Sequence, residues 1–525
     1  MTDLELGTIV SALVADDASP ARRAARERFA HDVLSQLLID PEIIAYRQEV
    51  LADLLAHPTL CDALEARLPS LEALAEAPRG ERYRPTAEPG LERVARRLAD
   101  LELLVETVAG LAQALETAAP ASRGLRSVAV GLRELRTSPE FAALELELPR
   151  LRETMSSVQS VIVGVNLGPD LAPRSATILE LATTPIEGRR ALLWRLLGAN
   201  SAERGMTPLH RGEGGPLGRS NELVRDLRRL LADVVAPVAG ALEHFARIST
   251  DRVGRLGAEL GLLIRAARLF ARLKSGGFGV CCPTSLDIAE RHAELADAYD
   301  IGLALSQLEQ GGSVVANAVR FGAEAGRVWV LTGPNRGGKT TYTRAVGAAQ
   351  VLFQAGMFVP AASACLSPVD AIFTHFPTRE DVRPGQGRLD LEAERLHAIF
   401  REATPRSLIL LNEALSGTSA LEALDLARGL VRGLRLLGAR AIYVTHLHEL
   451  ASQVDEINAS TPGDAQVASL LAELDEPVAG AASPRRTYRI TPRPPRGASF
   501  AAEIAEQHGI SFAQLEQLLR ERHLA

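Results

Sequence analysis

From Met1 to about Arg150, apolar residues recur every three or four positions among alanine, leucine, arginine and glutamate, as in PEIIAYRQEVLADLLAHPTLCDALEARL. That spacing gathers them on one face of a helix, so residues 1–150 are predicted to be helical. The stretch Ala77–Gly90, rich in proline, glycine and charge, breaks the pattern as a loop, and Leu91–Thr117 resumes it. Near Ser157 the period shortens. SVQSVIVGVNL is rich in β-branched residues and ends in the turn-like GPD, and TILEL follows after a proline, which predicts a small sheet or hairpin within residues 151–255. Helices return from Leu223 to about Leu273, and a further helix is expected after SGGFGVCCP, up to Asp300. No fixed-period repeat is visible.

From about residue 301 the grammar changes again. Short apolar runs, VVANAV, RVWVLT, SLILLN and RAIYVT, alternate with helical patterns such as TRAVGAAQVLFQAG and ALEALDLARGLVRGLRLLG. Strands alternating with helices predict an α/β domain with a largely parallel sheet over 301–525. The tail, ASFAAEIAEQHGISFAQLEQLLRERHLA, reads as a loop followed by two amphipathic helices. The expected architecture is therefore multidomain: a helical region over 1–150, an insertion with short strands over 151–255, returning helices over 256–300, and the α/β domain.

A chain of 525 residues exceeds the usual limit of one core and accommodates this division. Its four cysteines, Cys61, Cys281, Cys282 and Cys365, have no metal-ligand spacing, which fits a reducing compartment. The acidic N-terminal stretch lacks the basic start of a secretory signal, and no apolar run approaches the ~20 residues that span a bilayer. A cytoplasmic protein without membrane contact is expected. The net charge of -7 excludes a wholesale basic coat but permits a local one. The arginine-dense segment Arg189–Arg229, around the loop RGEGGPLGRS, reads equally as a solvated helix face with a loose connector or as a surface for DNA backbone. Nearly all positive charge is arginine. Only two lysines occur, Lys274 and Lys339, so the position of each is informative.

Lys339 lies in GPNRGGKTT, Gly333–Thr341, which fits G-x-x-x-x-G-K-T between an apolar strand and a helix. In such a loop Gly333, Pro334, Asn335, Arg336, Gly337 and Gly338 wrap the phosphates, and every one of them but the proline has a backbone N–H to offer. Lys339 reaches the terminal phosphates, and the Thr340 hydroxyl ligates Mg²⁺. ATP with Mg²⁺ is the cofactor this predicts. SLILLNEALSGTS reads as a second buried strand delivering Asn412 and Glu413: the amide oxygen of Asn412 faces a metal-bound water without bringing charge, and Glu413 is the candidate base. AIYVTHLHEL places His446 at the end of a third strand, where it can sense a terminal phosphate, with His448 at a helix start.

Together, TGPNRGGKTT, SLILLNEALSGTS and VTHLHEL resemble the MutS family of DNA mismatch-repair ATPases, within the ABC-type P-loop class. GMFVPAASACLSPVDAIFTHF and TYRITPRPPRGASFAAEIAEQHGIS extend the resemblance, and DPEIIAYRQEVLADL looks like the opening of that family's core lever domain. The match is strong over about 310–510 and weaker before it. It implies an all-α lever and clamp region with a β insertion, followed by an ATPase domain carrying C-terminal dimerisation helices. It also implies a homodimer whose two composite ATP sites move levers that clamp DNA. Gly333, Gly338, Lys339, Thr340 and Thr341 match the phosphate loop, Asn412 and Glu413 the metal and base positions, and His446 the histidine switch. Asn317 resembles an asparagine near the adenine.

Three departures from the family pattern shape the functional expectation. Asn412 stands where the family has Asp. Gly387 stands where the family inserts a serine into the partner's site, followed by Arg388, which is placed to contact phosphate in trans. The chain opens directly on lever-like helices, so a mismatch-reading domain and an endonuclease tail are expected to be absent, and DNA shape, branched junctions or backbone become the expected target. The leading expectation is an ATPase, slow in turnover, that couples ATP binding and hydrolysis to DNA clamping in repair or recombination. Its alternatives are a nucleotide-gated binding module with little turnover, and a scaffold that organises protein partners without touching DNA.

Overall fold

A computed structural model describes residues 2–14, 19–76, 91–157, 159–169, 173–184, 235–245, 250–376, 388–415, 420–475, 486–494 and 512–522. The loop expected over Ala77–Gly90, the arginine-dense segment Arg189–Arg229 and the first part of the C-terminal tail lie outside them. The chain divides into two compact units, one comprising Met1–Cys61, Pro120–Leu125 and Gly261–Ala525, the other Asp62–Ala119 and Arg126–Leu260. This grouping puts the first 61 residues with the strand-rich C-terminal half, whereas periodicity alone runs them on into one helical region.

Among the described residues, the second unit is helical apart from one hairpin. Its long helix, Leu91–Ala118, buries Val94, Leu98, Leu101, Leu104, Val108, Leu111 and Leu115, the stripe that three-and-four spacing predicts. The helix Pro139–Ser156 starts with proline at its first position and with Ser138 accepting from the Phe141 N–H at 3.3 Å. At Gly254, near the start of the helix Thr250–Ser275, a Cβ would lie 2.5 Å from the Ala75 backbone nitrogen, so only glycine permits this approach to the helix Leu68–Glu76. The strands β1 (Ser160–Leu167) and β2 (Pro173–Ala182) pair antiparallel, as their composition predicts.

The first unit contains two sheets. The helix Thr250–Ser275 ends in this unit, and the helix expected to run up to Asp300 is absent: β3 (Thr284–Ser285), a short 3₁₀ turn Ile288–Glu290 and β4 (Ala293–Ala298) take its place. AELADA has helix-forming composition, but Ala293 and Leu295 are buried with Glu294 exposed between them. Antiparallel pairing with β5 (Asn317–Phe321) and β7 (Ser363–Leu366) overrides local propensity. β3, β7, β4 and β5, in that order, make a four-stranded sheet.

The main sheet has six strands. β6 (Val328–Thr332), β8 (Ile372–His375), β9 (Leu408–Asn412), β10 (Arg440–Val444) and β11 (Val467–Leu474) run parallel, with β12 (Arg486–Thr491) antiparallel at the edge. The order is β12-β11-β6-β10-β9-β8. Every residue of β6, β9 and β10 is buried, as continuous apolar runs in a parallel sheet require. The helix Lys339–Gln354 that follows β6 is buried along nearly its whole length.

The N-terminal residues hold that helix at both ends. Arg344 donates to the Asp3 carbonyl at 3.1 Å and pairs with Glu5, and Leu4 packs so closely on Gly347 that a Cβ there would come within 2.5 Å of it. At the far end Gln354 Nε2 donates to the Leu38 carbonyl, the Leu38 N–H donates to the Gln354 carbonyl, and Arg47 donates to the Ala355 carbonyl. Satisfying the polar ends of a buried helix in this way avoids the cost of unpaired backbone groups.

Candidate nucleotide site

β6 delivers the chain to Gly333, where φ is 135° and a Cβ would lie 2.7 Å from that of Ala472 on β11. No side chain fits there. The loop turns through Arg336 and Gly338, with φ of 58° and 91°, and the helix begins at Lys339. Between them the Gly337 N–H closes the turn by donating to the Pro334 carbonyl at 3.1 Å. This is the cradle the glycines require, opening on an N-terminal helix end whose free N–H groups favour an anion.

Lys339 is 5% exposed, and its ammonium donates to the Gly333 and Pro334 carbonyls, each at 2.9 Å. Burial pushes its pKa down to about 8, with the Glu413 charge opposing. The hydrogen bonds of this buried cation go to neutral carbonyls beside an open cavity, where a phosphate would supply an anionic acceptor.

β9 ends at Asn412, which is buried and accepts from Thr340 Oγ1 at 3.5 Å. Glu413 follows with φ of 52°, and its N–H donates to the Val444 carbonyl at 2.9 Å. Leu415 is also left-handed, with φ of 66°, a conformation that costs L-residues about 1–2 kcal/mol each. Glu413 Oε1 lies 2.8 Å from His446 Nε2; an ionised carboxylate only accepts, so Nε2 carries the proton. That hydrogen bond, aided by the His446 and Lys339 charges and opposed by burial, holds the Glu413 carboxyl below its usual range. His448 begins the helix His448–Ser452, and burial is the main cause lowering its pKa.

A cavity of about 590 Å³, within the range of small-ligand sites, opens over the loop. Asn335–Tyr342, Gly337 and Thr341 among them, line it with Glu413 and Asn317, along with Tyr299, Asp300, Leu303 and Gln307 at and beyond the start of the helix Ile301–Gln310. Gly333 and Pro334 lie beneath as acceptors for Lys339. Asn317 has a structural task besides lining the cavity: its amide donates to the Tyr488 carbonyl at 3.1 Å and accepts from the Ile490 N–H at 2.7 Å, tying β12 to β5. Gly387 lies outside the described residues, and Arg388 opens the helix Arg388–Glu402.

Tyr488 is a site residue that sequence reasoning misses. It lines the cavity in the left-handed region, φ 58°, beside Gly338, and nothing in TYRIT distinguishes it from an ordinary strand aromatic. The donor set suits a hard cation bound together with phosphate: one hydroxyl and one amide oxygen, with no cluster of three or more His, Cys, Asp or Glu among the described residues. Such sites bind Mg²⁺ through phosphate oxygens and waters rather than through an all-protein cage.

Two family models match the chain, MutS domain V over residues 329–475 and the MutS2 N-terminal domain over 39–276. The chain belongs to the MutS family. It is 41% identical over 150 residues to the DNA mismatch repair protein MutS 2 of Halobacterium salinarum, covering 27% of this chain and 17% of that one. Against the DNA mismatch repair protein MutS of Sorangium cellulosum identity is 30% over 260 residues, 47% and 28% of the two chains. Against that of Haloquadratum walsbyi it is 29% over 326 residues, 62% and 32%. The chain thus spans a third or less of the length of these MutS relatives. The domain V match runs from β6 to the end of β11, and so contains Lys339, Asn412, Glu413 and His446. No described helix is long and apolar enough to cross a membrane.

Proposed function

We propose that this chain is a DNA-binding ATPase that couples ATP binding and slow hydrolysis to DNA clamping in repair or recombination. The observation that carries this reading is that Lys339, beyond β6, and Glu413, beyond β9, line one cavity, with His446 beyond β10 hydrogen-bonded to Glu413. Lys339 beyond β6 would hold the phosphates, Asn412 and Thr340 would orient Mg²⁺, and Glu413, hydrogen-bonded to His446 beyond β10, would accept the proton of the attacking water. When bound, Mg²⁺ supplies charge neutralisation at the phosphates. Gly387 and Arg388 are proposed to face the second site of a homodimer. The helical stretches before residue 300 are proposed to form levers and a clamp, with Arg189–Arg229 against DNA backbone. The relatives' names, DNA mismatch repair proteins, support the repair setting.

The test is ATP hydrolysis measured in parallel with duplex, mismatched and branched DNA. Stimulation is expected from all three, strongest with branched DNA. No ATP binding would remove the reading. One observation favours a second reading, a nucleotide-gated module with little turnover: Asn412 brings no charge to the metal, which weakens Mg²⁺ binding at the catalytic step.

Lys339 also sets a pH dependence. Its value in the free site is about 8, and a bound polyphosphate raises it. Below pH 8 the lysine is charged before and after binding. Above it, binding must draw in a proton, so affinity falls with rising pH by at most about tenfold per unit. Calorimetry in buffers of different ionisation enthalpy is expected to show proton uptake at pH 9 and almost none at pH 6.5.

A further inference from the structure

The three residues after β9 are each fixed to the fold by a different bond. The Glu413 N–H donates to the Val444 carbonyl at 2.9 Å, the Tyr443 hydroxyl donates to the Ala414 carbonyl at 3.1 Å, and the Leu415 N–H donates to Oε2 of Glu392 at 2.8 Å. The first two anchors come from β10, inside the sheet. The third is a side chain on the helix Arg388–Glu402 and is 7% exposed. Through it an element outside the sheet satisfies the Leu415 N–H with a buried side chain. Here it holds a segment in which two non-glycine residues, Glu413 and Leu415, have left-handed backbone, a conformation that persists only where its surroundings over-determine it.

We infer that Glu392 is a positioning residue for Glu413: by accepting the Leu415 N–H it locks the strained turn that aims the Glu413 carboxylate at His446 and into the nucleotide cavity. This rests on the reading of Glu413 as the base. Tyr443 supports it from the other side. Its ring is wholly buried, and the Glu392 charge adds to burial in pushing its phenol pKa up, which places the two anchors of the turn near one another. Without Glu392 the Leu415 amide would be left buried and unbonded, and the turn would relax towards right-handed backbone. The Glu413 side chain would then be redirected.

Two substitutions separate positioning from charge. Glu392→Gln keeps an oxygen at the same reach and loses the charge; Glu392→Asp keeps the charge and withdraws the oxygen by one methylene. Positioning predicts that Glu392→Gln hydrolyses ATP within about threefold of the wild-type rate. Glu392→Asp should lose about 10- to 100-fold in kcat, the scale of a misplacement near 1 Å, with KM for ATP within about threefold. Amide hydrogen exchange across residues 408–415 of the full chain, without nucleotide, is expected to speed up in Glu392→Asp and stay as in the wild type in Glu392→Gln. The reverse order of the two variants in either measurement overturns the inference, as does unchanged exchange in both. If the wild-type chain binds ATP without hydrolysing it, the reading of Glu413 as base fails, and the exchange measurement alone decides whether Glu392 fixes the turn.

Discussion

Lys339→Ala is expected to weaken ATP binding by about 10²–10⁴-fold while leaving the protein folded. Charge-assisted contacts are worth about 1.5–3 kcal/mol each, and a lysine bridging two phosphate oxygens loses roughly two of them when truncated. The stability half of the result distinguishes a functional lysine from a structural one. In the free protein the ammonium is buried against carbonyls, and burial lowers its pKa from 10.5 to about 8. A cation whose folded value lies below its unfolded value destabilises the fold. That cost is fully present below pH 8 and is relieved as pH rises towards 10.5. It amounts to roughly 3 kcal/mol at neutral pH, to order of magnitude. Removing the lysine therefore removes a burden along with two hydrogen bonds and some packing, and Tm at pH 7 is expected to stay near or above the wild-type value. Equilibrium binding of a fluorescent ATP analogue and a thermal melt test both halves. A variant that binds ATP normally would show that the loop does not act through its lysine, and one that fails to fold would show that the lysine is structural.

The phosphate loop is readable in the sequence because its constraints are local. Gly333 and Gly338 sit where φ forbids a side chain, and Lys339 must follow a buried strand, so order along the chain carries the geometry. β6, β9 and β10 are readable for a related reason: a parallel strand buried on both faces is a continuous apolar run. β4 reads as helix because its identity lies in its partners. AELADA becomes a strand only when β5 and β7 flank it. β11 is hidden in the same way: VASLLAEL has the composition of a helix, and its register is dictated by β6. The contacts that aim the site are the least legible. Glu392 meets Leu415 across 23 residues of sequence, and Asn317 meets Ile490 across 173, and no spacing rule connects such pairs.

Glu413→Gln is expected to reduce hydrolysis by about 10²–10⁴-fold, the span of general-base contributions, with ATP affinity within a few-fold of wild type. Glutamine matches glutamate in shape and can still accept from His446 Nε2, so the hydrogen bond and the left-handed turn have no reason to change. What is lost is the ability to take a proton. Because His446 and Lys339 hold the Glu413 carboxyl below its usual range, this base is ionised throughout the neutral region, and any acid limb in the wild-type rate near pH 6–7 has to come from another group. Single-turnover hydrolysis beside equilibrium ATP binding separates the outcomes. Binding retained with hydrolysis lost assigns Glu413 as the base. Hydrolysis unchanged in Glu413→Gln moves that role elsewhere. If the wild-type chain itself binds ATP and does not turn it over, Asn412 becomes the residue to explain: a neutral amide at the metal position would leave an ionised, well-aimed Glu413 without the charge its reaction needs, and the site would work as a nucleotide-gated switch.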